Sequence, residues 1–276
     1  MEATGGLQGH LRLVCAPDDR GRPHLRQQSF RAPMHISKPH EDHGTLVVNV
    51  VNPTAGLLQG DVIECDVAVE SGARLLLTSP SASRAHCMAS GRAMLRQHFR
   101  VAPDASLDVW PEIFIPQGGA RYHQRTLAEV APGGELLLGE MLAPGRVASG
   151  EAFAYEQLRW EMDLQHAGSL IARERYTLAP GTPGVDAIRG AFPHAYYASL
   201  YAVSPALSPV SDCWAAIHQL HHARAWIGVS QLRTGWVVKV LAAGSLDLRE
   251  IVSRIRRELY ASLGRPLPDL RRTGVC

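Results

Sequence analysis

Between Asp61 and Val69 the side chains alternate: Ile63, Cys65, Val67 and Val69 fall on one face, with Glu64 and Asp66 on the other. Leu158, Trp160, Met162 and Leu164 alternate in the same way with Arg159, Glu161 and Asp163. A period of two marks a strand with one dry face and one wet face. Three segments then share a frame: Val69-Glu-Ser-Gly-Ala-Arg-Leu-Leu-Leu77, Val101-Ala-Pro-Asp-Ala-Ser-Leu-Asp-Val109 and Val130-Ala-Pro-Gly-Gly-Glu-Leu-Leu-Leu138. Each reads as a strand end, a tight turn and a new apolar strand, and their starts lie 32 and 29 residues apart. Recurrence at this spacing predicts stacked β coils or repeated hairpins. A worn fourth copy runs through His166-Ala-Gly-Ser-Leu-Ile171.

The last third changes character. Ser211 to Trp226 is expected to be helical, and Gln231 to Ala242 to be a strand around Trp236-Val-Val-Lys-Val-Leu241. Ser245 is expected to cap a helix whose stripe is Leu248, Ile251, Val252, Ile255 and Leu259, with Gly264 and Pro266 as stop signals. No linker rich in glycine or serine divides the chain, and Ala179-Pro-Gly-Thr-Pro-Gly184 is its best loop candidate. The expectation is one mostly β domain over 1–276, β-rich from about residue 9 to 205 and mixed from about 211 to 267.

Composition narrows the function classes. The net charge of +2 points away from nucleic acid, and the basic residues from Arg254 to Arg272 read as a solvated face. No apolar run approaches the roughly 20 residues of a bilayer span, and Met1 to Val14 lacks the pattern of a secretion signal. Cys15, Cys65, Cys87, Cys213 and Cys276 are odd in number and widely spaced, as expected of reduced thiols in a cytoplasm.

Candidate chemistry is sparse. Of 13 histidines, His218, His221 and His222 are the densest cluster, and on a helix His218 and His222 would share a face and could chelate zinc or nickel. That leaves a metal-dependent enzyme as the alternative function. His35, His40 and His43 read as loop residues, and His86 and Cys87 on one strand would face opposite ways. There is no Gly-x-Ser-x-Gly elbow, phosphate loop or dinucleotide turn. Three carboxylates stand out for their surroundings. Asp61 ends a loop before a strand, Glu140 follows Leu136-Leu137-Leu138, and Glu174 lies between Arg173 and Arg175.

Taken in order, the segments resemble the urease accessory protein D family. Its His-Pro-Pro-Gly-Gly-x-x-Gly-Gly-Asp loop is matched by Asn52-Pro-Thr-Ala-Gly-Leu-Leu-Gln-Gly-Asp61, and its Thr-Thr-Pro-Gly-Ala-Thr-Lys by Thr78-Ser-Pro-Ser-Ala-Ser-Arg84. An aromatic-Leu-Pro-Gln-Glu stretch ending in Asp-Gly-Ala is matched by Val109-Trp-Pro-Glu-Ile113 through Gly118-Gly-Ala120. The most specific match is Glu140-Met-Leu-Ala-Pro-Gly-Arg-Val-Ala-Ser-Gly-Glu-Ala-Phe153, and Leu170 to Arg175 resembles the family's Leu-x-x-Glu-Arg. Asn52 departs from the family's histidine and Ile113 from its glutamate.

The resemblance implies a β-helix-like superhelix of stacked sheets with a small helical C-terminal part. It implies a non-enzymatic, chaperone-like scaffold that binds urease apoenzyme and the F-type and G-type accessory proteins. Nickel would be cargo on its way to the urease active site, with no cofactor held tightly. Asp61, Glu140 and Glu174 become the expected transit ligands. An interaction scaffold of another pathway is a further alternative.

Overall fold

The computed structural model describes residues 5–54, 56–207 and 211–270. Strand β1 (Gln8–Pro17) folds back as β2 (Pro23–Arg31), and short β3 (His35–Ile36) and β4 (His40–Asp42) lead to β5 (Thr45–Val51). One coil runs through β6 (Val62–Val69), β7 (Arg74–Thr78) and β8 (Ser83–Ala85). The next runs through β9 (Ala93–Val101), β10 (Ser106–Trp110) and β11 (Phe114–Pro116), and a third through β12 (Arg121–Val130) and β13 (Glu135–Leu142). A small hairpin of β14 (Gly145–Arg146) and β15 (Glu151–Ala152) precedes β16 (Gln157–His166) and β17 (Ser169–Leu178). The chain finishes with α1 (Pro183–Ala191), β18 (Tyr196–Val203), α2 (Asp212–His218), β19 (Ala225–Gln231), β20 (Trp236–Ala242) and α3 (Ser245–Ser262).

The repeated frame is the stacking unit. Val69 pairs with Val101 and Val101 with Val130 in one parallel wall, while Leu75 pairs with Leu107 and Leu107 with Leu136 in the facing wall. Three residues after each valine the backbone takes a left-handed turn, at Gly72, Asp104 and Gly133. Glycine takes that conformation freely and aspartate is among the side chains that tolerate it. A turn bond closes each corner, Ala73 N–H to Glu70 O, Ala105 N–H to Ala102 O and Gly134 N–H to Ala131 O. Identical corners keep successive coils in register, so apolar side chains stack on their counterparts. Between the walls lie Leu13, Val67, Val69, Leu75, Phe99, Val101, Leu107, Val130, Leu136 and Leu138, all buried. A short third wall is formed by Leu57, β8 and β11.

Four expectations are corrected. The fourth copy does not cross to the facing wall: β16 and β17 form an antiparallel hairpin that closes the first sheet. Ser211 to Trp226 is helical only from Asp212 to His218. The chain then turns between His222 and Ala225, and Ala225-Trp-Ile-Gly-Val joins the sheet edge beside β20. Ser245 is the first helical residue and Gly244 holds the cap position without a side-chain bond. The loop candidate ends in helix α1, because Pro183 sits at a first-turn position where its missing N–H costs nothing.

Smaller corrections follow. His35 and His40 sit in short strands, and His86 and Cys87 lie outside any strand. The basic C-terminal face is not wholly solvated: Arg256 is buried over the rings of Trp110 and Tyr260, and Arg265 bonds Ser106 Oγ at 2.6 Å. Arg271, Arg272 and Cys276 lie outside the described residues. Cys15, Cys65, Cys87 and Cys213 are free thiols. No helix among the described residues is long and apolar enough to cross a membrane.

Candidate functional site, a cavity inside the coil

The two walls do not fill the space between them completely. A cavity of about 170 Å³ remains, lined by Leu11, Ile63, Leu95, Phe99, Val109, Leu138 and Trp160, with Gln97, Gln124 and Glu140 among its polar atoms. Strand alternation puts the polar residues there: Tyr122, Gln124, Thr126 and Ala128 take the inward positions of β12, and Glu140 follows Leu136 and Leu138 on the inward face of β13. Buried polar groups persist where they satisfy each other. Thr126 Oγ1 donates to Gln97 Oε1 at 3.0 Å, Tyr122 OH donates to Gln124 Oε1 at 2.9 Å, and Gln124 Nε2 donates to Glu140 Oε1 at 2.5 Å.

Glu140 is the electrostatic centre. Burial pushes its carboxyl up to about 7, opposed by Trp160, Ser199, Gln124 and the Lys239 ammonium. Aromatic side chains surround it. Tyr122 stacks on Phe114 with centroids 4.4 Å apart, Trp160 stacks on Tyr176 at 6.2 Å, and Tyr176 meets Tyr197 edge-on at 6.3 Å. Burial holds the phenols of Tyr122, Tyr176, Tyr197 and Tyr201 above their ordinary range, and the nearby Glu140 charge adds to this.

Of the three expected transit ligands, Glu140 and Glu174 both neighbour Lys239. Glu140 pairs across strands with Ser199 and Ser199 with Lys239, so the three share one row on adjacent strands. Glu174 arrives from the opposite sheet, paired in register with core-facing Met162, and forms an ion pair with Lys239. Asp61 stands elsewhere. Its buried carboxylate accepts the backbone N–H of Leu7 and of Leu58, each at 2.8 Å, and so ties the Asn52–Asp61 loop to the chain start.

The other family-like segments are joints between walls. Leu57 N–H donates to Arg84 O and His86 N–H to Leu57 O, docking the first segment on the second. Glu151 accepts from Gly118 N–H at 3.0 Å and from Arg146 Nε at 2.8 Å, joining the third to the fourth. The Arg146 guanidinium and the Gly118 amide hold the Glu151 carboxyl down at about 2.

The histidine cluster has other engagements. His221 Nδ1 accepts the Ile227 N–H at 3.3 Å and His222 Nδ1 the Arg224 N–H at 3.2 Å; His218 is on α2 and the other two are beyond it. Among the described residues, no group of three or more His, Cys, Asp or Glu is placed to hold a metal ion. Sequence reasoning missed Gln124, Ser199, Tyr201 and Lys239. The available signals were a glutamine at an inward position of β12 and a lysine in an otherwise apolar strand.

Comparison with known proteins gives a consistent answer. The model of the UreD urease accessory protein family matches residues 7–273. A urease accessory protein UreD of Opitutus terrae is 41% identical over 96% of this chain and 98% of its own. One of Acetivibrio thermocellus is 28% identical over 94% of this chain and all of its own, and UreD 2 of Streptomyces griseus is 30% identical over 91% and 89%. These relatives are named as accessory proteins to an enzyme, not as enzymes themselves. With a match spanning nearly every residue that the coil is built from, the chain belongs to the UreD urease accessory protein family.

Proposed function

We propose that this chain is a scaffold of urease maturation in the cytoplasm. It binds urease apoenzyme together with F-type and G-type accessory proteins, and nickel crosses its interior as cargo. The observation that carries the reading is the cavity between the walls, with buried Glu140 in its lining and the Glu174–Lys239 ion pair joining the two sheets nearby. Nickel(II) binds carboxylate oxygen less tightly than it binds imidazole or thiolate sets, and a route needs ligands that release as readily as they hold. Spaced acids and amides offset part of the ion's lost hydration without closing a coordination shell around it. Asp61, buried and bonded to two backbone amides, supports the route by fixing the loop rather than by offering a free carboxylate.

The test is complementation. A nickel-limited host that makes urease and the F-type and G-type proteins, but lacks its own D-type protein, receives this chain or its Glu140→Ala variant. The expected result is active urease with the wild-type chain. With the variant, activity per assembled complex should fall while pull-down of the F-type protein persists. No activation and no pull-down by the wild-type chain would overturn the reading.

A further inference from the structure

Lys239 has an unusual setting. It interrupts the apolar run of β20, in a chain whose 28 basic residues include only two lysines, Lys38 and Lys239. Everywhere else the Lys-or-Arg cation is arginine. A guanidinium would fork onto two carboxylates and stay, whereas an ammonium is a compact charge on a flexible stem. The lysine stands between acids of both walls: Glu174 from β17 is its ion-pair partner, and Glu140 lies two strands away along the row through Ser199 and acts on it electrostatically. Burial disfavours its charge and the Glu140 carboxylate favours it.

The surroundings hold further oxygen atoms. Ser199 and Tyr201 are 1% and 2% exposed; the Ser199 hydroxyl faces the Glu140 carboxylate, and the Tyr201 hydroxyl closes no hydrogen bond although it lies within the field of Glu140. Two carboxylates, the Ser199 hydroxyl and the unbonded Tyr201 hydroxyl form an oxygen-rich set of the kind that hard and borderline divalent cations accept. The Lys239 side chain is 43% exposed and that of Glu174 is 18% exposed, whereas Glu140 is buried. The ammonium can therefore swing to water without crossing protein, and it stands on the solvent side of Glu140.

We propose that Lys239 is a resident counter-cation that closes the Glu140–Glu174 acid pair and must swing out before a divalent ion can occupy it. This rests on the reading of the cavity as a nickel route and adds the device that keeps the ion from lodging there. Lysine and metal are mutually exclusive occupants. With both carboxylates ionised, the ammonium leaves the set one net negative charge, and a divalent ion in its stead brings it to neutrality. An ammonium within a few ångströms repels a divalent ion strongly in a partly buried site, so its removal should turn a transit point into a trap.

The test uses the full chain and NiCl₂ alone. In equilibrium dialysis, Lys239→Met should hold nickel about tenfold more tightly than wild type or better, and Lys239→Arg no more tightly than wild type. Lys239→Met combined with Glu174→Gln should lose the gain. A second measurement needs no variant. Acetylation of wild-type lysines, read by mass spectrometry, should rise at Lys239 when nickel is added, with Lys38 as internal reference. Equal nickel affinity of Lys239→Met and wild type overturns the proposal. If that variant does not fold, unchanged Lys239 acetylation overturns it alone. Nickel exchange governed by Lys239 in a chain that fails to activate urease would sink only the maturation role. Activation without any dependence on Lys239 would sink only the gate.

Discussion

Gln124 on β12 donates its amide to Glu140 on β13 across the interior, at 2.5 Å, so one hydrogen bond joins the two main walls of the coil. The same glutamine accepts from the Tyr122 hydroxyl and lies 3.4 Å from Thr126 Oγ1. It is the link between the polar chain in the cavity and the buried acid of the facing wall.

Replacing Gln124 with leucine keeps the volume but leaves Glu140 short of a donor and the Tyr122 hydroxyl without its acceptor. Stranding a buried polar group costs about 1–3 kcal/mol. The expected outcome is a loss of that size in urea unfolding. Unchanged stability would mean that the walls do not depend on this bond.

Asp61 predicts a different defect. Its two oxygens serve two amides from separate parts of the chain, Leu7 and Leu58. Asparagine keeps one acceptor oxygen and turns an NH₂ toward the other N–H. Asp61→Asn should cost about 1–3 kcal/mol and speed hydrogen exchange at one or both amides. Exchange at the wild-type rate would remove the pinning role.

The repeat was legible because its chemistry is local. A valine, a left-handed corner three residues on and an apolar run recur at Val69, Val101 and Val130, and each forms the same turn. The copy at His166 is shorter at its corner: Ala167 and Gly168 are both left-handed and His166 pairs with Ser169, so the chain turns straight back as a two-residue hairpin. Helix α1 was hidden by Pro183 and Gly184, which read as loop residues unless proline is placed at a helix start. At the site, Glu140 and Glu174 were visible as acids in apolar company. That both neighbour Lys239 depends on pairing across β13, β18 and β20 and on contact with the opposite sheet, which no local pattern carries.

Gly145 and Gly150 bracket the small hairpin and should respond unequally to alanine. At Gly145 the backbone has φ +142°, and an added Cβ would lie 1.9 Å from Glu151 O. Backbone strain alone costs about 1–3 kcal/mol, and the clash would also break the joint with Gly118. At Gly150, φ is +75° and an added Cβ meets open space, so a loss of about 1 kcal/mol is expected. Thermal unfolding of the two variants checks this. Equal losses would show that the hairpin can shift as a unit.

Glu140 makes stability depend on pH in a direction that can be worked out. Its folded-state value is about 7 against an ordinary 4.5, because burial penalises the charge. As pH rises through 4.5 the unfolded chain gives up this proton first, while the native state keeps it to about 7. In that window the native state binds more protons, so stability falls with rising pH. The full loss, reached above about 7, is at most roughly 3 kcal/mol. The groups facing Glu140 are Lys239, with Glu174 beyond it, and Tyr122, Tyr176, Tyr197 and Tyr201, whose phenols stay protonated throughout. Glu140→Gln removes the proton exchange and keeps the shape. The difference in unfolding free energy between variant and wild type should shift in the variant's favour by up to about 3 kcal/mol between about pH 4 and pH 8. A difference that stays flat across that range would show that Glu140 ionises in the folded chain as an ordinary carboxylate does.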